Sequence, residues 1–171
     1  AIVRDTLRDV VWHEVGHTLG LTHNFRASTI YSLDQMENKD FTKANGIAGS
    51  VMEYNALNLA LNGKKQGEYV MTTIGPYDYW AIEYAYKPLD PAKEKEELLK
   101  IASRSKEPQL AFANDIDAGL GPIEGMDPEV TRRDLGADPL AFADRRMKLS
   151  RELWDRLQDR KIKPGEQFDI L

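Results

Sequence analysis

The chain has 171 residues, 30% of them charged and 42% hydrophobic, a mix suited to one compact domain or to one domain with an appendage. Its 23 Lys and Arg against 28 Asp and Glu give a net charge of −5, which argues against nucleic acid or an anionic lipid surface as the main partner, since both require a basic face. No run approaches the roughly 18 apolar residues of a membrane span, and the absence of cysteine removes disulfides, thiolate nucleophiles and Cys-type zinc sites together.

The chain opens on "AIVRDTLRDV", with neither an initiator Met nor a signal peptide, and already reads as the interior of a helix. It is expected to be a piece of a longer protein. Val3, Leu7, Val11, Val15 and Leu19 recur every four residues, with Val10 beside them, which predicts an amphipathic helix over 2–19 with this stripe buried. Gly20 is suited to end it, because glycine tolerates the left-handed conformation just past a helix. Residues 21–50 read as irregular, with short helical turns around 33–37 and 41–44. The best strand signal is a weak one, "EYVMTTI" at 68–74.

A second helix should start at Pro76 and run to Tyr86, stopping before Pro88. Asp90 as N-cap and Pro91 at the first helical position predict a third through "DPAKEKEELLKIASRS", with Glu96 and Lys100 forming an i,i+4 pair. Asp138 should cap the last and longest helix, 139–161, whose Leu140, Ala143, Met147, Leu153, Trp154 and Leu157 keep helical spacing. Before it lies a Gly/Pro/Asp-rich loop carrying Asp115, Asp117, Glu124 and Asp127. Such carboxylates can bind Ca²⁺, although no EF-hand pattern is present; the plainer reading is a solvated, turn-forming loop.

All three histidines fall in one eleven-residue window, "HEVGHTLGLTH". On a helix, residues four apart point the same way, so His13 and His17 present two imidazoles to one point. Zinc accepts neutral imidazole nitrogens at about 2.0–2.1 Å in a tetrahedral shell. The turn at Gly20 lets His23 swing back as a third ligand, leaving the fourth position open to water. Glu14 sits about 100° further around the helix and reaches that water without ligating the metal. Zinc lowers the water's pKa to roughly 7, and Glu14 is placed to take its proton. Two helical histidines also pack or cap without metal, but five specified residues in this window recur by chance in only about one in tens of thousands of such chains.

These residues resemble the metzincin pattern H-E-x-x-H-x-x-G-x-x-H of zinc metalloendopeptidases. That resemblance implies a methionine-bearing turn beneath the metal, and "SVMEYNALN", with Met52 placed 29 residues after His23, is similar to it; otherwise Met52 is an ordinary core residue. Tyr54 resembles the tyrosine that some metzincins use as an extra, displaceable zinc ligand and oxyanion donor, the alternative being a rim tyrosine bonded to a backbone group. Residues 55–59 are then expected to line a substrate pocket. "IGPYDYWAIEYAY" resembles the helix that packs behind such sites, which makes Tyr77, Trp80, Ile82 and Tyr84 scaffold; Glu83 as a ligand is disfavoured because His23 fills that role. "HNF" at 23–25 and "DPEVTRRDLGADPLAFADRR" resemble a bacterial branch of secreted zinc-dependent metalloproteases, which implies an extracytoplasmic location. Asn24 is expected to cap the returning turn through its side chain.

The resulting expectation is a mainly α fragment made of a zinc-site helix, an irregular loop with a Met-turn, a packing helix and a helical C-terminal extension, divided as 1–87 and 88–171. The resemblance implies an α+β parent domain whose twisted sheet, able to bind substrate by strand addition, lies upstream in the same parent chain. The expected activity is zinc-dependent hydrolysis of a peptide or protein substrate. The alternatives are a non-catalytic zinc-stabilised binding or scaffold module, and an amidohydrolase acting on a non-protein amide.

Overall fold

The computed structural model describes residues 2–119, 127, 129–158 and 164–165, and among these the chain is mainly helical with no strand. Six α-helices follow in order: α1 (Ile2–Thr18), α2 (Leu33–Met36), α3 (Lys39–Asn45), α4 (Pro76–Tyr86), α5 (Glu94–Ala102) and α6 (Pro139–Gln158). No described helix is long and apolar enough to cross a membrane. The segment 68–74 forms no strand because its start is bonded piecemeal: the Glu68 N–H donates to Thr42 Oγ1 at 2.8 Å and its carbonyl accepts from Asn58 Nδ2 at 2.9 Å.

Helix boundaries follow the capping chemistry. Ser32 and Gln35 form a reciprocal capping box on α2, Asn38 caps α3, and Asp138 accepts from the Ala141 N–H at 2.9 Å to open α6. Asp90 does not cap α5. Its carboxylate accepts from Ala92 N at 3.0 Å and its carbonyl from Lys93 N at 2.8 Å, closing a separate turn, so regular helix begins only at Glu94. The Glu96–Lys100 pair forms at 3.0 Å. Residues 159–161, expected in the last helix, lie outside the described residues.

The apolar stripe of α1 is exposed, not buried as its spacing suggested. Val3 and Leu7 are 69% and 62% accessible, and Val10, Val11, Val15 and Leu19 are exposed with them. The helix packs through another face, where His13 and Gly16 are its buried residues. Alpha 6 behaves alike: Leu140, Met147, Leu153 and Trp154 are exposed, while Phe142 and Arg145 are buried. Hydrophobic period identifies a face; it does not supply the surface that covers it.

The main core joins Met36, Ile47, Met52 and Met71 to Leu135 and Phe142, so it crosses the expected division at residue 87. A second, smaller cluster joins Phe25 to Ala113 and Val130. Arg145 on α6 reaches into the irregular region, donating to Asn58 Oδ1 at 2.8 Å. Helix α4 seats its first turn directly on the loop before Met52, with Tyr77 N donating to the Gly49 carbonyl at 3.0 Å.

That seat requires glycine at 75. A Cβ there would lie 2.1 Å from the Gly49 carbonyl oxygen, and backbone cannot retreat as a flexible side chain can. Gly75→Ala should destabilise the protein by at least about 1–3 kcal/mol, seen as a lower urea midpoint; an unchanged midpoint would mean that α4 is not anchored in this way.

Candidate metal centre

Helix α1 ends in a Schellman turn: Leu21 N donates to the Gly16 carbonyl at 3.1 Å and Gly20 N to the His17 carbonyl at 3.0 Å. Gly20 has φ +86°, the left-handed conformation that favours glycine. The chain therefore doubles back, and His13, His17 and His23 converge with one ligand atom each, all within 4.8 Å of one another. Their ring centroids are 4.8, 5.3 and 4.9 Å apart.

Each ring is held by its Nδ1. His13 Nδ1 donates to the Val51 carbonyl at 2.8 Å and His17 Nδ1 to the Leu21 carbonyl at 2.9 Å. His23 Nδ1 meets both oxygens of Asp115 at 3.0 and 2.9 Å. Carbonyl and carboxylate oxygens only accept, so the proton sits on Nδ1 and the Nε2 lone pair is free. The Nε2 atoms of His13 and His23 are buried without any hydrogen-bond partner. A buried polar atom left unpaired is costly, and here the orphans face each other. The donor set fits a zinc ion, with neutral imidazoles as ligands and their other nitrogens anchored. Burial pushes the His13 pKa down, against the Val51 hydrogen bond that raises it.

Met52 is fully buried, and the site of a Gly16 Cβ would lie 2.3 Å from its sulfur, so the thioether packs against the helix between His13 and His17. The turn that carries it is bolted to α4 by Asp78, which accepts from Ser50 Oγ at 2.5 Å, Val51 N at 2.9 Å and Gly75 N at 2.9 Å. Burial raises the Asp78 pKa while these three donors oppose the shift. The sequence reading missed Asp78; its only local signal was an acidic residue in the first turn of α4. Of the residues expected to be scaffold, Tyr77 is buried and Trp80 donates to the Ile101 carbonyl at 2.7 Å. Ile82 is half-buried and Tyr84 exposed. Glu83 pairs with Lys87 and Arg104 on the surface and takes no part in the cluster.

A cleft of about 330 Å³ opens beside the histidines, lined by His13, Glu14, Tyr54, Asn55, Leu57 and Arg133 among others. Glu14 is exposed, as a residue that meets solvent in the cleft must be. The Tyr54 ring lies 5.1 Å from that of His13 and 4.5 Å from that of His23. Its carbonyl accepts from Arg133 N at 2.8 Å, and Arg133 adopts φ +65°, a conformation L side chains rarely take and one that concentrates at functional sites. Beneath the cleft, Glu53 accepts from Ser28 N at 3.2 Å and Tyr54 N at 2.8 Å. Burial, then the neighbouring Asp134 carboxyl, pushes Glu53 well above the usual carboxylate range.

Asn24 does more than cap its turn. Its side chain accepts from Arg26 N at 3.3 Å, the expected cap, but also from Ala113 N at 3.2 Å, and it donates to the Ala111 carbonyl at 3.0 Å. The calcium reading of the acidic loop finds no support among the described residues. Asp115 is committed to His23, Asp117 accepts from Asn114 N at 2.9 Å, and Asp127 pairs with Arg26; Glu124 lies outside the described residues. Among the described residues the histidine cluster is the one group suited to hold an ion.

A family model described as Met-zincin matches residues 1–171. No curated protein and no solved structure matches the chain.

Asp9, one turn before His13 and also on the cleft wall, offers a test of this burial. Desolvation raises its pKa from 3.8 to about 6, against the opposing Met71 N–H and Arg8 charge. A folded pKa above the unfolded one means that the stabilisation is complete below about 3.8 and is lost as pH rises through about 6. The stability advantage of Asp9→Asn over wild type should therefore grow between pH 3.5 and 7, by on the order of 3 kcal/mol. Parallel urea titrations at the two pH values read it; a pH-independent difference would place Asp9 in water.

Proposed function

Since the chain belongs to the Met-zincin family, we propose that it carries the catalytic centre of a zinc endopeptidase, with His13, His17 and His23 as the metal ligands and Glu14 as general base. The observation that carries this reading is the convergence of three imidazoles whose Nδ1 atoms are all engaged elsewhere. Zinc, when bound there, supplies a Lewis acid that polarises a scissile carbonyl and eases the ionisation of water.

The protein's own groups do the rest. Glu14 takes the proton of the water as its oxygen bonds to the carbonyl carbon, then delivers that proton to the departing nitrogen as the C–N bond breaks. One water is consumed, and an amine and a carboxylate leave. Tyr54, beside both His13 and His23, donates its phenolic hydrogen to the oxyanion of the tetrahedral intermediate. Asn55 and Leu57, which line the same cleft as Glu14, contact the substrate side chain nearest the cut. A purely structural site would want a fourth protein ligand, and no other described His, Asp or Glu joins the cluster. The exposed Glu14 beside an open cleft favours catalysis over scaffolding.

In the zinc-loaded full-length protein, Glu14→Gln should lower kcat on an unstructured peptide by about 10²–10⁴-fold with zinc content unchanged. Tyr54→Phe should cost up to about 10²–10³-fold, again in kcat. Equal cleavage by wild type and Glu14→Gln would end the endopeptidase reading, and an unaffected Tyr54→Phe would remove the tyrosine from it.

A further inference from the structure

Two of the three imidazoles are oriented by backbone oxygens. His13 rests on the Val51 carbonyl and His17 on the Leu21 carbonyl, four residues away. His23 lies on irregular chain past the end of α1, with no helix to direct its ring. Its Nδ1 is met by a side chain 92 positions later. We propose that Asp115 is a positioning residue of the metal centre: it fixes the tautomer and ring plane of His23, and it makes the segment 111–119 part of the metal-binding apparatus. This rests on reading the histidine cluster as a metal site.

The carboxylate is held in place by a chain of specific bonds. Asn24, fully buried, brackets the segment through the Ala111 carbonyl and the Ala113 N–H, and Phe25 N donates to the Ala113 carbonyl at 2.7 Å. Phe25, Ala113 and Val130 pack together underneath. Beyond Ala113 the backbone closes a turn: Ile116 N donates to Asn114 Oδ1 at 2.9 Å, Asn114 N to Asp117 Oδ2 at 2.9 Å, and Ala118 N to the Asn114 carbonyl at 3.1 Å. Asp115 sits inside that turn. The tripeptide His23-Asn24-Phe25 thus docks the segment with three successive residues, and the segment returns a carboxylate to the first of them.

An ordinary surface ion pair does not account for the contact. A surface pair would need an imidazolium, whose Nε2–H would be buried with no hydrogen-bond partner in reach. The neutral Nδ1–H tautomer satisfies Asp115 and leaves a lone pair for a cation. Asp115 itself is 42% exposed, so solvent screens its charge and its contribution is geometric before it is electrostatic.

Zinc affinity of the full-length protein, measured by competition with a chromophoric chelator, tests this alongside the melting temperature of the metal-free form. Asp115→Ala should weaken zinc binding about 10–100-fold with little change in the metal-free melting temperature. Asp115→Asn, whose amide oxygen still accepts from Nδ1–H, should recover much of the loss. Nitrogen NMR of the metal-free wild type should find His23 as the Nδ1–H tautomer, and this decides the matter should the alanine variant not fold. Wild-type affinity in Asp115→Ala overturns the proposal, as does an Nε2–H tautomer or an affinity loss matched by an equal loss of metal-free stability. A wild type that takes up no zinc overturns the metal reading itself, a result distinct from wild-type binding that the variant shares.

Discussion

Each histidine of the centre gives its Nδ1 hydrogen to an oxygen held elsewhere, and the remaining nitrogens meet because those three oxygens are where they are. The Leu21 carbonyl is placed by the Schellman turn at Gly20. The Val51 carbonyl is placed by Asp78, which grips the Val51 N–H from the first turn of α4. The Asp115 carboxylate is placed by Asn24 and the turn around residues 114–118. Helix end, methionine loop and C-terminal segment each supply one acceptor. The site is the point at which three otherwise separate pieces of chain agree.

With little regular structure between α1 and α4, backbone groups of that region need other partners, because a buried N–H or C=O left unpaired is expensive. Buried side chains take the place of a neighbouring strand. Asn58 bonds the carbonyls of Met36 and Glu68 and receives Arg145. Asp78 collects two N–H groups and a hydroxyl, and Asn24 pairs with a distant segment as a strand would. Such side chains couple remote parts of the molecule tightly, since removing one strands several partners at once.

Helices α1 and α6 both present apolar faces to solvent, with Leu7 and Trp154 among the exposed residues. Their amphipathic periods are real. The inference from period to burial failed because α1 is gripped on the face where Gly16 lets Met52 approach, a quarter-turn or more from Val3 and Leu7. Packing followed the smallest residue, not the most hydrophobic row.

What could be read from residue order alone was whatever one helix and its stop signal translate directly into direction. His13 and His17 share a face because they are four apart, and Gly20 turns the chain because it alone accepts φ near +86° without strain. The span of α4 and the opening of α6 were legible for the same reason, since proline and aspartate act within a turn of where they stand. Asp78, Asp115 and the full reach of Asn24 were not, because the partners through which they shape the site, Val51, His23, Ala111 and Ala113, lie 27 to 92 positions away across irregular chain that carries no period. Loops do not convert sequence separation into orientation. Only the folded molecule brings those oxygens to the three nitrogens that need them.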